Sequence, residues 1–200
     1  MDINSVEKKE TVSKKEHGAL SAAGNFFLEA VKMLILAGIT IGVVRYFLFK
    51  PFYVKGQSME PNFYEKDYLI IDELTYRFRE PARGEVVVFK APAGNDYYLK
   101  RVVGLPGEWV KVENQKIVVY NGDHPQGVIV EENYLFEDTP GSISMSLGRD
   151  EYFVLGDNRD ASYDSRRFGP IKANSVVGRA WLRGWPVNRI DKLQTPNYKF

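Results

Sequence analysis

Tyr97-Tyr98-Leu99-Lys100-Arg101-Val102-Val103 is the segment on which the fold turns. Rich in β-branched and aromatic residues and closed by Gly104, it reads as a strand. Strand alternation puts Lys100 on one face with Tyr98 and Val102, and Arg101 on the other with Leu99 and Val103. One of the two cations must therefore face inwards. Outwards from this segment, the same character recurs in Tyr68–Ile71, Glu85–Phe89, Trp109–Val112, Lys116–Tyr120, Gly127–Val130, Glu151–Leu155 and Ser175–Leu182, each bounded by Gly, Pro, Asn or Asp. Glu113-Asn114-Gln115-Lys116 and Asn121-Gly122 look like hairpin turns. The expected body is mainly β, a sandwich or folded barrel of antiparallel sheets, with no strand order specified.

Composition removes several classes of chemistry. The chain has 200 residues, 44% of them hydrophobic, which suffices for one globular domain with a short appendage. A formal net charge of +1 gives no global attraction to nucleic acid. With no cysteine there are no disulfides, thiolate metal sites or cysteine nucleophiles. The two histidines are His17, in a polar tail, and His124, in the turn-like run Asn121–Gly127, so neither a histidine-rich metal site nor a well-placed Ser-His pair is expected. Nothing in the composition calls for a metal or cofactor, and nothing sets an oligomeric state.

The chain divides into three parts. Residues 1–25 mix Lys, Glu, Ser and Gly without an apolar period and read as a mobile tail. Residues 26–49 contain the charge-free run Met33–Val44, extended by Phe26–Leu28 and Tyr46–Phe49, and the whole stretch is long enough to cross a bilayer, for which about 20 residues are needed. The uncharged centre alone would equally suit a buried helix or a leader. Glu29 and Lys32 share a helical face near one interface and Arg45 can snorkel towards the other, whereas Arg45–Phe52 lacks the small-residue pattern of a cleavage site. An uncleaved, single-pass membrane helix is the expectation, followed by a β domain over residues 50–200. Lys and Arg flank it similarly on both sides, so orientation is not set by charge.

Directly after this helix, Val54-Lys55-Gly56-Gln57-Ser58-Met59-Glu60-Pro61 places a serine in a Gly/Pro turn. A serine hydroxyl needs a base, and with histidine nearly excluded the candidates are Lys, Asp and Glu. A lysine at pKa about 10.4 is neutral in roughly one molecule in two thousand at pH 7, so Lys100 can serve only if it is dry. A third segment, Gly156-Asp157-Asn158-Arg159-Asp160-Ala161-Ser162-Tyr163-Asp164-Ser165-Arg166, follows the strand Glu151–Leu155 and is dense in both charge signs. Its carboxylates do not match the alternate spacing of a calcium loop.

In this order the three segments resemble the bacterial type I signal peptidases, membrane-bound Ser-Lys proteases that remove signal peptides from exported preproteins. Ser58-Met59-x-Pro61 is similar to the family's nucleophile box and Lys100-Arg101-Val102-Val103-Gly104 to its base box. Gly156-Asp157-Asn158-Arg159-Asp160-x-Ser162-x-Asp164-Ser165-Arg166 is similar to its third box, and Arg83–Phe89 also looks like a family segment. The resemblance implies Ser58 as nucleophile, Lys100 as general base, and Ser162 as the hydroxyl that orients Lys100. It implies structural support from Asp157 and Arg159, and from Asp164 paired with Arg166 and Arg101. Val54, Met59, Phe63 and Leu99 match positions walling shallow pockets for small residues, which implies cleavage after Ala-x-Ala-like sequences. The implied partners are signal peptides and the lipid bilayer, with the N-terminus cytoplasmic and the catalytic β domain outside. Gly56 stands where some members carry a serine hydroxyl, which implies an oxyanion hole built mainly from backbone N–H groups, that of Ser58 included. Asn62-Phe63 also departs from the commoner Thr-Leu form. Chain length and Gly56 look more like the short Gram-positive-type members.

Overall fold

A computed structural model describes residues 25–42, 49–198 and 200, in two units divided after Tyr46. The first contains helix α1, Asn25–Gly42. Phe26, Phe27, Met33, Leu34, Leu36 and Ile41 on it are more than half exposed. A helix of this length and composition, with none of its described residues buried, suits an apolar solvent. The expected continuation over residues 43–48 lies outside the described residues. Phe49, expected as the last residue of the membrane segment, instead opens strand β1, Phe49–Tyr53, in register with Asp72.

The second unit is built from strands that pair only in antiparallel fashion. After β1 come β2 (Tyr68–Asp72), β3 (Val86–Lys90), β4 (Tyr97–Gly104), β5 (Trp109–Glu113), β6 (Lys116–Tyr120), β7 (Val128–Ile129), β8 (Ile143–Ser146), β9 (Glu151–Leu155), β10 (Ile171–Lys172), β11 (Val176–Trp185) and β12 (Asp191–Lys192), with a short helix α2 at Ser165–Phe168. The larger sheet runs β1-β2-β11-β3-β4-β9-β10, with β12 on β11, and the smaller runs β7-β6-β5-β8. Pro51 is accommodated because β1 is an edge strand, where a missing N–H need not break a ladder. The β5–β6 hairpin closes through Asn114 and Gln115, both at positive φ (49° and 65°), the two-residue geometry that matches strand twist.

Burial explains why β3 reads as the unbroken run Val86-Val87-Val88-Phe89. One side of the larger sheet packs Val54, Met59, Phe63, Leu69, Ile71, Val86, Val88 and Leu99 together; the other packs Val87, Phe89, Val102, Tyr152, Val154 and Ile171. Residues of both parities are thus inside. A third cluster joins the smaller sheet to β4 and β9 through Val103, Val110, Val112, Ile117, Val119, Phe153 and Leu155. Strand β4 lies among all three clusters. Both of its central cations are consequently buried, Lys100 and Arg101 at 4% exposure each, where alternation alone required only one.

Candidate active site

The nucleophile segment leaves β1 at Tyr53 and turns back on itself. Lys66 N–H donates to Val54 O (3.0 Å), Val54 N–H to Asp67 O (2.9 Å), Glu60 N–H to Gln57 O (3.1 Å) and Phe63 N–H to Met59 O (2.9 Å). Met59 is buried on the inner side of this turn, which leaves Ser58 partly exposed at its apex. Gly56 lies at φ +80° with open space where a Cβ would project, so conformation rather than crowding favours glycine there. The Ser58 N–H donates to no acceptor among the described residues and is free for a ligand oxygen.

Lys100 reaches this apex from β4. Its Nζ lies 2.6 Å from Ser58 Oγ and 3.1 Å from the Leu99 carbonyl oxygen, with the Tyr98 ring centroid at 5.8 Å. Burial is the largest influence on this amine and brings its pKa down from 10.5 to about 8; the negative charges of Asp164 and Asp157 act in the opposite direction without cancelling it. An amine whose pKa is lowered towards neutral pH, within hydrogen-bond reach of a hydroxyl, is the arrangement a serine needs for activation.

The loop from Gly156 to Asp164 fixes both partners. Asn158 N–H donates to the Ser58 carbonyl oxygen at 3.1 Å. Gly156 permits this approach, since a Cβ there would stand 2.4 Å from Ser58 O and 2.2 Å from Ser162 Oγ. Asp157 takes Arg101 in a two-pronged pair, Nε to Oδ1 at 2.8 Å and Nη2 to Oδ2 at 2.6 Å. Asp164 caps α2, accepts from Gly156 N–H (3.0 Å) and pairs with Arg166 through Nε and Nη2, both at 2.9 Å. Burial pushes the Asp164 carboxyl up, but the bonds from Arg166 and Gly156 outweigh it and hold the group below the ordinary carboxylate range. Arg159 donates from Nε to Gly156 O at 3.0 Å and pairs with Glu132, with Thr139 also at its guanidinium.

Several expected contacts are placed differently. Arg101 pairs with Asp157, not Asp164: the Asp164 carboxylate is already taken up by its own loop's Gly156 N–H and by Arg166. Ser162 is buried, yet its hydroxyl makes no hydrogen bond among the described residues and none reaches Lys100. Of the four expected pocket residues, Val54, Met59 and Leu99 line an open groove of about 610 Å³ that contains Ser58 and Lys100. Phe63 packs in the same cluster from behind, under the Arg183 guanidinium at 5.4 Å, and does not reach the groove. Tyr134, whose ring lies 4.1 Å from the Arg101 guanidinium carbon, and Glu132 were not legible beforehand, because both come from a polar loop without a motif. His124 is held in the β6–β7 turn, with Asn121 Oδ1 accepting from its backbone N–H at 2.8 Å and its ring against Phe200.

The sequence model of the signal peptidase family, peptidase S26, matches residues 27–185. Among similar chains, a probable signal peptidase I-2 of Synechocystis is 37% identical over 92% of this chain and 84% of its own length. A signal peptidase IB of Staphylococcus aureus is 33% identical over 84% of this chain and 95% of its own length. A crystal structure of a signal peptidase I from Enterococcus faecalis is 30% identical, with a TM-score of 0.44 over 50% of this chain and 97% of that one. By the extent of these matches, the chain belongs to the signal peptidase family, peptidase S26.

Proposed function

We propose that this serine peptidase removes signal peptides with a Ser58–Lys100 dyad and cuts after small residues. The observation that carries the reading is the 2.6 Å approach of Lys100 Nζ to Ser58 Oγ in a buried setting. With a pKa of about 8, roughly one lysine in ten is neutral at pH 7, about two hundred times more than for a solvated side chain. The neutral amine takes the Ser58 proton as Oγ attacks the carbonyl carbon preceding the cleaved bond. The oxyanion that forms is met by the unpaired Ser58 N–H. Lys100, now protonated, returns its proton to the departing amine. A water molecule, deprotonated by the same amine, then hydrolyses the ester and restores Ser58.

Selectivity is attributed to the groove floor. Val54, Met59 and Leu99 belong to the core cluster below and wall the groove beside Ser58, and the proposed preference for small side chains is attributed to these rigid walls. Helix α1 would hold the enzyme in the bilayer with its β domain on the extracytoplasmic side, where exported chains emerge. The full chain in detergent, given a preprotein, should lose cleavage on Ser58→Ala and on Lys100→Ala; activity surviving in either variant rules out the dyad.

A further inference from the structure

Asn62 takes no part in the proton transfers above, yet its side chain joins the nucleophile's turn to the residue that grips the base strand. Its amide nitrogen donates to Asp157 Oδ2 at 3.0 Å and to the Tyr134 carbonyl oxygen at 3.1 Å, which uses both of its N–H groups. Asp157 is fully buried and accepts Arg101 on the same oxygen. Arg101 is the neighbour of Lys100 on β4 and lies over the ring of Tyr134, so the four residues close a circuit: Asn62 to Asp157, Asp157 to Arg101, Arg101 to Tyr134, and Tyr134 back to Asn62. The turn is therefore fastened to the Asp157-Asn158 dipeptide at two points. Asn158 N–H holds the Ser58 carbonyl, and the Asp157 carboxylate holds the Asn62 amide.

We propose that Asn62 is a positioning residue that clamps the Ser58 turn to Asp157 and thereby sets the approach of Ser58 Oγ to Lys100. The inference rests on the dyad reading, since it concerns the distance between those two groups. The backbone of the turn has separate support: Arg183 donates to the Asn62 carbonyl oxygen and Phe63 N–H donates to Met59 O. Loss of the side-chain amide thus leaves the turn folded while it frees Ser58 to drift from Lys100. Carboxylate and guanidinium are both buried here, so loss of the amide removes one of the few donors that the carboxylate has.

Asn62→Asp keeps the shape of the side chain but removes its donors, Asn62→Ala removes both, and Asn62→Thr restores one donor. In the full-length enzyme, Asn62→Asp and Asn62→Ala should lower kcat about 10- to 100-fold with KM within about two-fold of the parent, with Asn62→Thr falling between. Acylation of Ser58 by a small serine-directed reagent that makes no peptide contacts should slow in the same proportion. Thermal unfolding identifies the variants that fold; should Asn62→Asp fail to, the Ala and Thr variants carry the comparison. A kcat within about two-fold of the parent in the folded variants overturns the clamp, as does a rise in KM alone, which would mark Asn62 as a peptide contact. Ser58→Ala and Lys100→Ala, assayed alongside, separate the two readings: if they lose activity while the Asn62 variants keep theirs, only the clamp fails.

Discussion

At the scale of single residues, Lys100 has opposite effects on activity and on stability. Its burial lowers the pKa to about 8, and in the proposed dyad the neutral form is the base. kcat/KM on a preprotein should accordingly rise as pH increases, with a midpoint near 8, and a profile that is flat between pH 7 and 9 would count against Lys100 as the base. The same shift sets a sign for stability. The folded chain binds fewer protons than the unfolded one between about pH 8 and 10.5, so stability contributed by this group increases with pH across that window. Below it, both states carry the proton and the charged amine remains buried at full cost. At pH 7 that cost is as much as about 3 kcal/mol, taking 1.36 kcal/mol per pKa unit. Lys100→Met should therefore raise the thermal unfolding midpoint at pH 7 while it abolishes cleavage, and a lower midpoint would show that the amine's hydrogen bonds outweigh its desolvation.

Elements matter through how closely they approach one another. Between β9 and α2 the chain passes Ser58 at Gly156, where any side chain would press on the Ser58 carbonyl and the Ser162 hydroxyl. Gly156→Ala should cost at least tenfold in kcat, because the backbone must retreat and Asn158 N–H then loses the Ser58 carbonyl. Normal turnover in a folded Gly156→Ala enzyme would show that the loop does not set the nucleophile. The loop also explains why its two buried carboxylates divide their work. Asp164 precedes α2 and caps it while holding Arg166, which leaves Asp157, at the strand end, as the partner that reaches Arg101 on the neighbouring β4.

Across the whole molecule, the apolar helix and the candidate site belong to different units. The described part of helix α1 has 18 residues, about 27 Å at 1.5 Å each, close to the roughly 30 Å of a bilayer's hydrocarbon core. The full chain should sediment with membranes and be released by detergent but not by high salt, which would strip an electrostatically bound protein. Added protease should degrade the β domain in intact spheroplasts, as the proposed extracytoplasmic placement requires; protection there, with degradation only after lysis, would reverse the orientation.

Read alone, the sequence established the β class, the apolar N-terminal helix, and Ser58 with Lys100 as the pair to examine. These are written in local signals: β-branched runs, an uncharged stretch, and the exclusion of histidine and cysteine. Eight strand segments were legible for that reason, whereas β1, β8, β10 and β12 were not, being either joined to the apolar helix or short and polar, and held only by pairing with neighbours. Alternation separated Lys100 from Arg101 but could not show that both are buried, since that requires packing on both faces of β4. Nor could it choose between Asp157 and Asp164 as the partner of Arg101. Spacing along a loop does not fix which carboxylate reaches across to another strand. The Asn62 clamp, the unpaired Ser162 hydroxyl and the dry setting that moves the pKa of Lys100 all depend on atoms distant in sequence, and only the folded chain brings those together.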